Sequence, residues 1–243
     1  MAYRIFLAGA AGAVGKRLTP LLLEAGHHVT GTTRSAMKAE ALRATGAHPI
    51  VVDALDAEAL AQVVESARPD VVIHQLTDLP RGLDPSRMAQ ALVGNARIRD
   101  EGTRNIVRAA IAAGARRLVA QSIAWVYAPG PEPHGEDDPL DVGAEGIRGV
   151  TVRGVVALED QTLNAPVLEG VVLRYGRFYG PGTGTDQAPE AVPLHVDAAA
   201  YAALLALDRG SAGLFNIAEP NAYVATDKAI AELGWTADFR HST

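Results

Sequence analysis

The chain of 243 residues contains no cysteine. That absence excludes disulfides, zinc–thiolate centres and a thiol nucleophile, and makes a reducing, cytoplasmic setting the expectation. Long apolar runs are lacking as well. The longest, residues 198–207, falls far short of the roughly 18 residues a membrane span requires, and its alanine content suits a packed helix. A strand pattern starts by the third residue, so neither a signal peptide nor a membrane partner is expected. Nor is there a surplus of positive charge. The formal net charge is -6, whereas a nucleic-acid partner calls for a basic surface. Arginines gather from Arg81 to Arg117, but Asp84, Asp100 and Glu101 are interspersed, which reads as a solvated helix face. Internal repeats and low-complexity linkers are missing too. The remaining composition, 48% hydrophobic and 21% charged, suits a globular protein with one large core or one core plus a small lobe.

Within that composition, apolar runs alternate with helical periodicity. Strands are predicted at 4–8, 28–32, 49–52, 70–74, 117–121 and 171–175, and helices at 15–25, 35–45, 56–68, 85–113 and 143–164. Regular strand–helix alternation implies an α/β fold, a Rossmann-type doubly wound parallel sheet covered by helices on both faces. Asp56 is placed to cap a helix, and Asp84-Pro85 to cap another with proline in its first turn. Proline- and glycine-rich loops follow the fifth and sixth strands, at the strand ends where open α/β sheets bind ligands. A helix at 196–207, a strand at 214–217 and a helix at 226–233 close the chain. The simplest division is a dinucleotide-binding region over 1–180 and a reduced C-terminal cap over 181–243.

The first predicted strand breaks into Gly9-Ala-Ala-Gly12-Ala-Val-Gly15 and a helix follows at once. Strand, glycine turn and helix make the first half of a dinucleotide-binding βαβ unit. Glycine lets the backbone approach a pyrophosphate, and the new helix offers free N–H groups and its positive dipole end. Gly9, Ala11, Gly12, Ala13, Val14 and Gly15 are therefore candidate cofactor contacts. An NAD-binding strand usually carries a carboxylate about 20 residues past the glycines. Here Thr32-Thr33-Arg34 stands instead, with no carboxylate until Glu40. Arg34, with Thr33, suits a 2′-phosphate, because its planar fork of donors matches that anion; NADP(H) is expected over NAD(H). Asp53 and Ala54 end the third strand. Asp53 either accepts from an adenine amino group or only caps the helix behind it. Gln75, Leu76 and Thr77 lie where a bound dinucleotide would pass, and His74 reads as a satisfied core histidine.

These motifs resemble the short-chain dehydrogenase/reductase superfamily, in its extended or atypical branch of NAD-dependent epimerases and dehydratases. The resemblance spans nearly the whole chain. Besides the glycine turn and Asp53 it rests on Gly102-Thr-Arg-Asn105, Arg117-Leu-Val-Ala-Gln-Ser122-Ile-Ala-Trp-Val-Tyr127, Leu173-Arg-Tyr-Gly-Arg-Phe-Tyr-Gly-Pro-Gly182 and His195-Val-Asp197. It implies a Rossmann sheet with a C-terminal substrate lobe and hydride transfer at a nicotinamide. A serine or threonine would orient the substrate, a tyrosine move the proton, and a lysine four residues later lower the tyrosine's pKa.

The chain departs from that pattern where the chemistry would sit. It has no Tyr-x-x-x-Lys, and no lysine between Lys38 and Lys228. Anchored on Glu159, the resemblance puts Thr151 in the tyrosine's place, Val155 in the lysine's, and Arg99 where an asparagine often stands. Ser122 and Tyr127 are the candidate catalytic residues; His134, Tyr175 and Tyr179 are alternatives, His134 being otherwise a solvated loop residue. No metal site is expected. The expected function is an NADP(H)-dependent reductase of a small carbonyl or enone, or else a non-catalytic NADP(H) sensor or a non-redox isomerase or cyclase. The short region after Gly182 disfavours a large nucleotide-sugar substrate. A homodimer through the 85–113 and 143–164 helices fits the resemblance, although the apolar row Ile98, Ile106, Val107 and Ala110 suits burial against the sheet equally well.

Overall fold

The computed structural model describes residues 1–80 and 84–241; Arg81 lies outside them. Seven parallel strands form the central sheet in the order β3-β2-β1-β4-β5-β6-β9. They are β1 (Arg4–Ala8), β2 (His28–Thr33), β3 (His48–Val51), β4 (Val71–His74), β5 (Arg117–Ile123), β6 (Glu169–Tyr175) and β9 (Gly213–Ile217). The central strands are buried on both faces, which explains why they read as continuous apolar runs rather than alternating ones.

Helices cover both faces. On one, α1 (Ala13–Glu24) packs against α7 (Val196–Leu205), and both join a core of Ile5, Leu7, Ile73, Val119 and Leu173. On the other, α3 (Ala57–Ala67) packs against α5 (Thr103–Ala112) over Phe6, Val72 and Leu118. The α4 (Pro85–Arg97) and α6 (Gly146–Leu163) helices pack together beside α5. Asp56 caps α3 and Asp84 caps α4, as expected, and Ser35 caps the short α2 (Ala36–Ala44); each side chain accepts a backbone N–H bond.

Three local features differ from the sequence expectation. The helix predicted over 85–113 is interrupted by a π-helical turn at Ile98–Gly102, which turns Ile98, Arg99 and Gly102 inward. A parallel two-stranded pair, β7 (Arg177–Tyr179) with β8 (Pro193–His195), was not predicted, because each strand is only three residues long. The last predicted helix, 226–233, is present over 227–233 but widens to a π-helical turn at Ala229–Leu233 that ends on the left-handed Gly234. Among the described residues no helix is long and apolar enough to cross a membrane, and no histidine, cysteine and carboxylate cluster is set to hold a metal.

Candidate functional site

The turn from β1 to α1 is built on backbone proximity. Gly9 has φ +90°, and a Cβ there would lie 2.6 Å from the Gln75 carbonyl oxygen. A Cβ on Gly15 would meet the Gly9 oxygen at 2.3 Å. Neither position tolerates a side chain, so the glycines fix how closely α1 approaches the strand ends. The Gly9 N–H donates to Thr32 Oγ1 at 3.3 Å, and Gly12 N–H to the Gly9 oxygen at 2.9 Å. The N-cap, Gly12, supplies no side-chain bond, and the first turn of α1 holds no acidic residue. Its leading N–H groups are thus left for an outside acceptor at the positive end of the dipole, which is what a pyrophosphate requires. Gln75, whose backbone abuts Gly9, turns its side chain toward Tyr175, with Nε2 3.5 Å from the hydroxyl and Oε1 buried without a partner among the described residues. The free N–H groups of α1 fit a dinucleotide.

The other expected cofactor residues gather on the same edge. Arg34, Val51, Val52, Asp53, Asp56 and Ala59 line a cleft of about 350 Å³. Asp53 Oδ1 accepts from Leu55 N–H at 3.0 Å, while Asp56 caps α3, so Asp53 is not the helix cap. Arg34 Nη2 pairs with Asp78 Oδ1 at 2.8 Å in an exposed ion pair. Ala11 and Ala13 are half-buried, Leu76 half-buried and Thr77 exposed, all at the strand ends. Thr33 is buried and its hydroxyl accepts from Ser35 N–H. The side chains of Val14 and Ala54 point into the core, which leaves only their backbone to face a ligand. His74 is the satisfied core histidine predicted: Nδ1 accepts from Leu76 N–H at 3.2 Å, and Nε2 meets Thr103 Oγ1 at 3.1 Å. Burial, with Arg99 nearby, pushes its pKa down to about 4.

Beyond β5 the structure holds a buried polar network. Ser122 donates to Glu159 Oε1 at 2.7 Å. Glu159 in turn receives Arg174 Nε at 2.9 Å and Nη2 at 2.6 Å. Arg174 Nη1 donates to Tyr127 Oη at 2.8 Å, and Tyr127 donates onward to Asn216 Oδ1 at 2.7 Å. Asn216 N–H donates to Glu136 Oε1 at 2.8 Å, tying the loop to β9. Ser122, Tyr127, Glu159 and Arg174 are all buried. Burial raises the Tyr127 pKa despite the neighbouring guanidinium, so its phenol is held in the protonated form.

The structure therefore brings Ser122 and Tyr127 together through Arg174 and Glu159, but both hydroxyl protons are already given to protein acceptors. His134 is buried rather than solvated. Its ring stacks on Tyr127 at 4.9 Å and Nδ1 faces Asp138 at 3.2 Å. Tyr175 is buried and donates to the Ala199 carbonyl; burial pushes its pKa up. Tyr179 donates to Glu219. Thr151 donates back to the Ile147 carbonyl at 3.1 Å, and Val155 packs with Ile123, Val126 and Val152. Sequence reasoning passed over Arg174, Asn216 and Glu136. Arg174 had a signal, a charge inside the apolar run Val171-Val-Leu-Arg-Tyr, since such a charge is buried only when paired.

A seven-stranded parallel sheet with a glycine turn at β1 and an uncapped α1 defines a Rossmann-type dinucleotide-binding protein. Residues 9–189 match the NAD(P)H-binding family, and the chain belongs to it. Its fold is shared with solved nucleotide-sugar 4-epimerases. A 3-diazoavenalumate denitrifying reductase from a Streptomyces species is 48% identical over 186 residues, covering 74% of this chain and 58% of that protein. The chain thus spans less than two thirds of that relative's length. The UDP-glucose 4-epimerase of Thermotoga maritima superposes with a TM-score of 0.79 at 17% identity, over 99% of this chain and 94% of that one. The UDP-glucuronic acid 4-epimerase of Bacillus cereus, solved with NAD, gives a TM-score of 0.74 at 18% identity, over 99% of this chain and 93% of that one.

Proposed function

We propose that the chain is an NADP(H)-dependent reductase of a small substrate that accepts a hydride without needing a proton from the protein. The observation that carries this reading is the disposition of hydroxyls beyond β5. Ser122 and Tyr127 give their protons to Glu159 and Asn216, Thr151 bonds its own helix, and Val155 offers no cation. Ser122 and Tyr127 enter the reading as positioning residues that hold the strand ends in register.

A reduced dinucleotide would supply a hydride from its nicotinamide. The backbone N–H groups at the start of α1 would hold its pyrophosphate, against the close Gly9–Gln75 approach. An aromatic diazonium group is an acceptor that matches these residues. Addition of hydride to its terminal nitrogen gives Ar–N=N–H; water takes the N–H proton, the C–N bond breaks as N2 leaves, and the aryl carbon takes a proton back from water to give Ar–H. Atoms and electrons balance with NADPH as the reductant. The likeness to a diazo-compound reductase supports this substrate class. Reduction of a carbonyl or enone would instead take its proton from water.

Arg34 supports NADP(H) over NAD(H). Its partner Asp78 is a surface pair, worth about 0–1 kcal/mol, which a 2′-phosphate can displace. The exposed Val93 of α4 and Val156 of α6 support a homodimer through those helices.

The test is protein-dependent NADPH oxidation with arenediazonium salts, set beside aldehydes, ketones and enones. Oxidation with equimolar N2 release is expected for the diazonium salts. NADPH binding without oxidation of any of these compounds would overturn the reductase reading in favour of a sensor.

A further inference from the structure

Arg99 is a buried cation with no counter-ion among the described residues. It is 6% exposed, and among the described residues it has no hydrogen-bond or ion-pair partner. The π-helical turn that carries it is the cause. This wider turn brings Ile98, Arg99 and Gly102 inward while its two acids stay outside. Those acids are occupied: Asp100 pairs with Arg104 and Glu101 with Arg97, both at the surface.

The charged and titratable groups whose fields reach Arg99 from other elements do not balance it. From β4 comes His74, whose Nδ1 accepts from Leu76 N–H and whose Nε2 meets Thr103, the residue after the π-helical turn, at 3.1 Å. From α6 comes Glu159, whose two oxygens already take both Arg174 bonds and the Ser122 hydroxyl. One carboxylate thus answers two guanidinium groups, and the surplus positive charge is that of Arg99. Desolvation lowers its pKa to about 10, so it stays charged at neutral pH. A buried unpaired charge is costly, and a planar fork of donors is satisfied best by a carboxylate. The charge also sits in the right place. His74 ends β4 and meets Thr103, which follows the π-helical turn, at 3.1 Å, and Asp78 beyond β4 donates its N–H to Asn95, one turn before Arg99, at 3.0 Å, so the turn that carries Arg99 lies at the carboxyl edge of the sheet where such folds bind ligands.

We propose that Arg99 binds a carboxylate of the substrate, making this an acceptor site for small organic acids whose reducible group is held at the nicotinamide by that anchor. The proposal rests on the reductase reading only for the identity of the bound dinucleotide.

The protein holding NADP+ is titrated calorimetrically with acetate, benzoate and cinnamate, each beside its amide. At least one carboxylate is expected to bind about tenfold tighter than its amide. Arg99→Gln should remove that preference and leave the Kd values of the amides and of NADP+ unchanged, while Arg99→Lys keeps the charge and loses part of the preference. No preference in the parent protein, or a preference that survives Arg99→Gln, overturns the proposal. So does a loss of NADP+ affinity in Arg99→Gln, which would put the guanidinium on the cofactor. Should Arg99→Gln not fold, an unchanged preference in Arg99→Lys overturns it as well. Binding is read without turnover. A protein that prefers carboxylates yet oxidises no NADPH sinks the reductase reading and leaves this one standing.

Discussion

Arg174 grips Glu159 at two points, Nε to Oε1 at 2.9 Å and Nη2 to Oε2 at 2.6 Å, with both side chains buried. This pair is the hub through which Ser122 on β5, Tyr127 in the following loop and Asn216 on β9 are joined. Removing one partner of a buried pair leaves the other charge uncompensated. Glu159→Gln should therefore cost about 3–5 kcal/mol in unfolding free energy, measured by urea denaturation. A cost near zero would mean that the pair is open to water.

Tyr127 separates a structural hydroxyl from a catalytic one. Tyr127→Phe removes the bonds to Asn216 and Arg174 and should cost about 1–3 kcal/mol of stability. Because the phenol proton is held by Asn216, kcat with a diazonium substrate should stay within about threefold of the parent value. A loss of several orders of magnitude would make Tyr127 the proton donor.

The pH dependence follows from His74. Its folded pKa is about 4, against about 6.5 in an unfolded chain. Between those values the unfolded chain holds a proton that the folded one does not, so stability is full above pH 6.5 and is lost as pH falls toward 4. The single site predicts a loss of about 2 kcal/mol from pH 7 to pH 5. His74→Asn should flatten that slope; an unchanged slope would assign it to other groups.

The proposed preference for NADP(H) is tested at Arg34 and Asp78. Arg34→Ala should weaken NADPH binding about tenfold and NADH binding little, since only NADPH carries the 2′-phosphate. Asp78→Asn, which releases Arg34 from its ion pair, should tighten NADPH binding. Equal effects on the two dinucleotides would remove the phosphate-pairing argument. Fluorescence titration reads both.

Much of this architecture was legible in the amino-acid order. The strands β1, β4 and β6 are apolar runs bounded by polar residues, and Asp56 and Asp84 announce helix starts that the structure confirms. The glycine turn was equally plain, since Gly9 and Gly15 stand where no Cβ fits. The polar network was not. Its bonds join residues 37, 47 and 89 positions apart in the chain, and no local period encodes them. The π-helical turn was hidden for a different reason. One widened turn inside a long amphipathic stretch barely disturbs the apolar spacing, yet it decides that Arg99 faces inward. His134 misled because its loop is polar by composition, whereas its ring is covered by Tyr127 and Tyr223.

The central claim is that hydride transfer here needs no proton from the protein. The most direct measurement is kcat for 4-carboxybenzenediazonium with NADPH and with [4-2H]NADPH, across pH 6 to 9, in H2O and D2O. The account predicts turnover with a flat pH profile, a primary isotope effect from the labelled cofactor and none from the solvent. Protein-independent oxidation, or a kcat that falls with rising pH and slows in D2O, would contradict it.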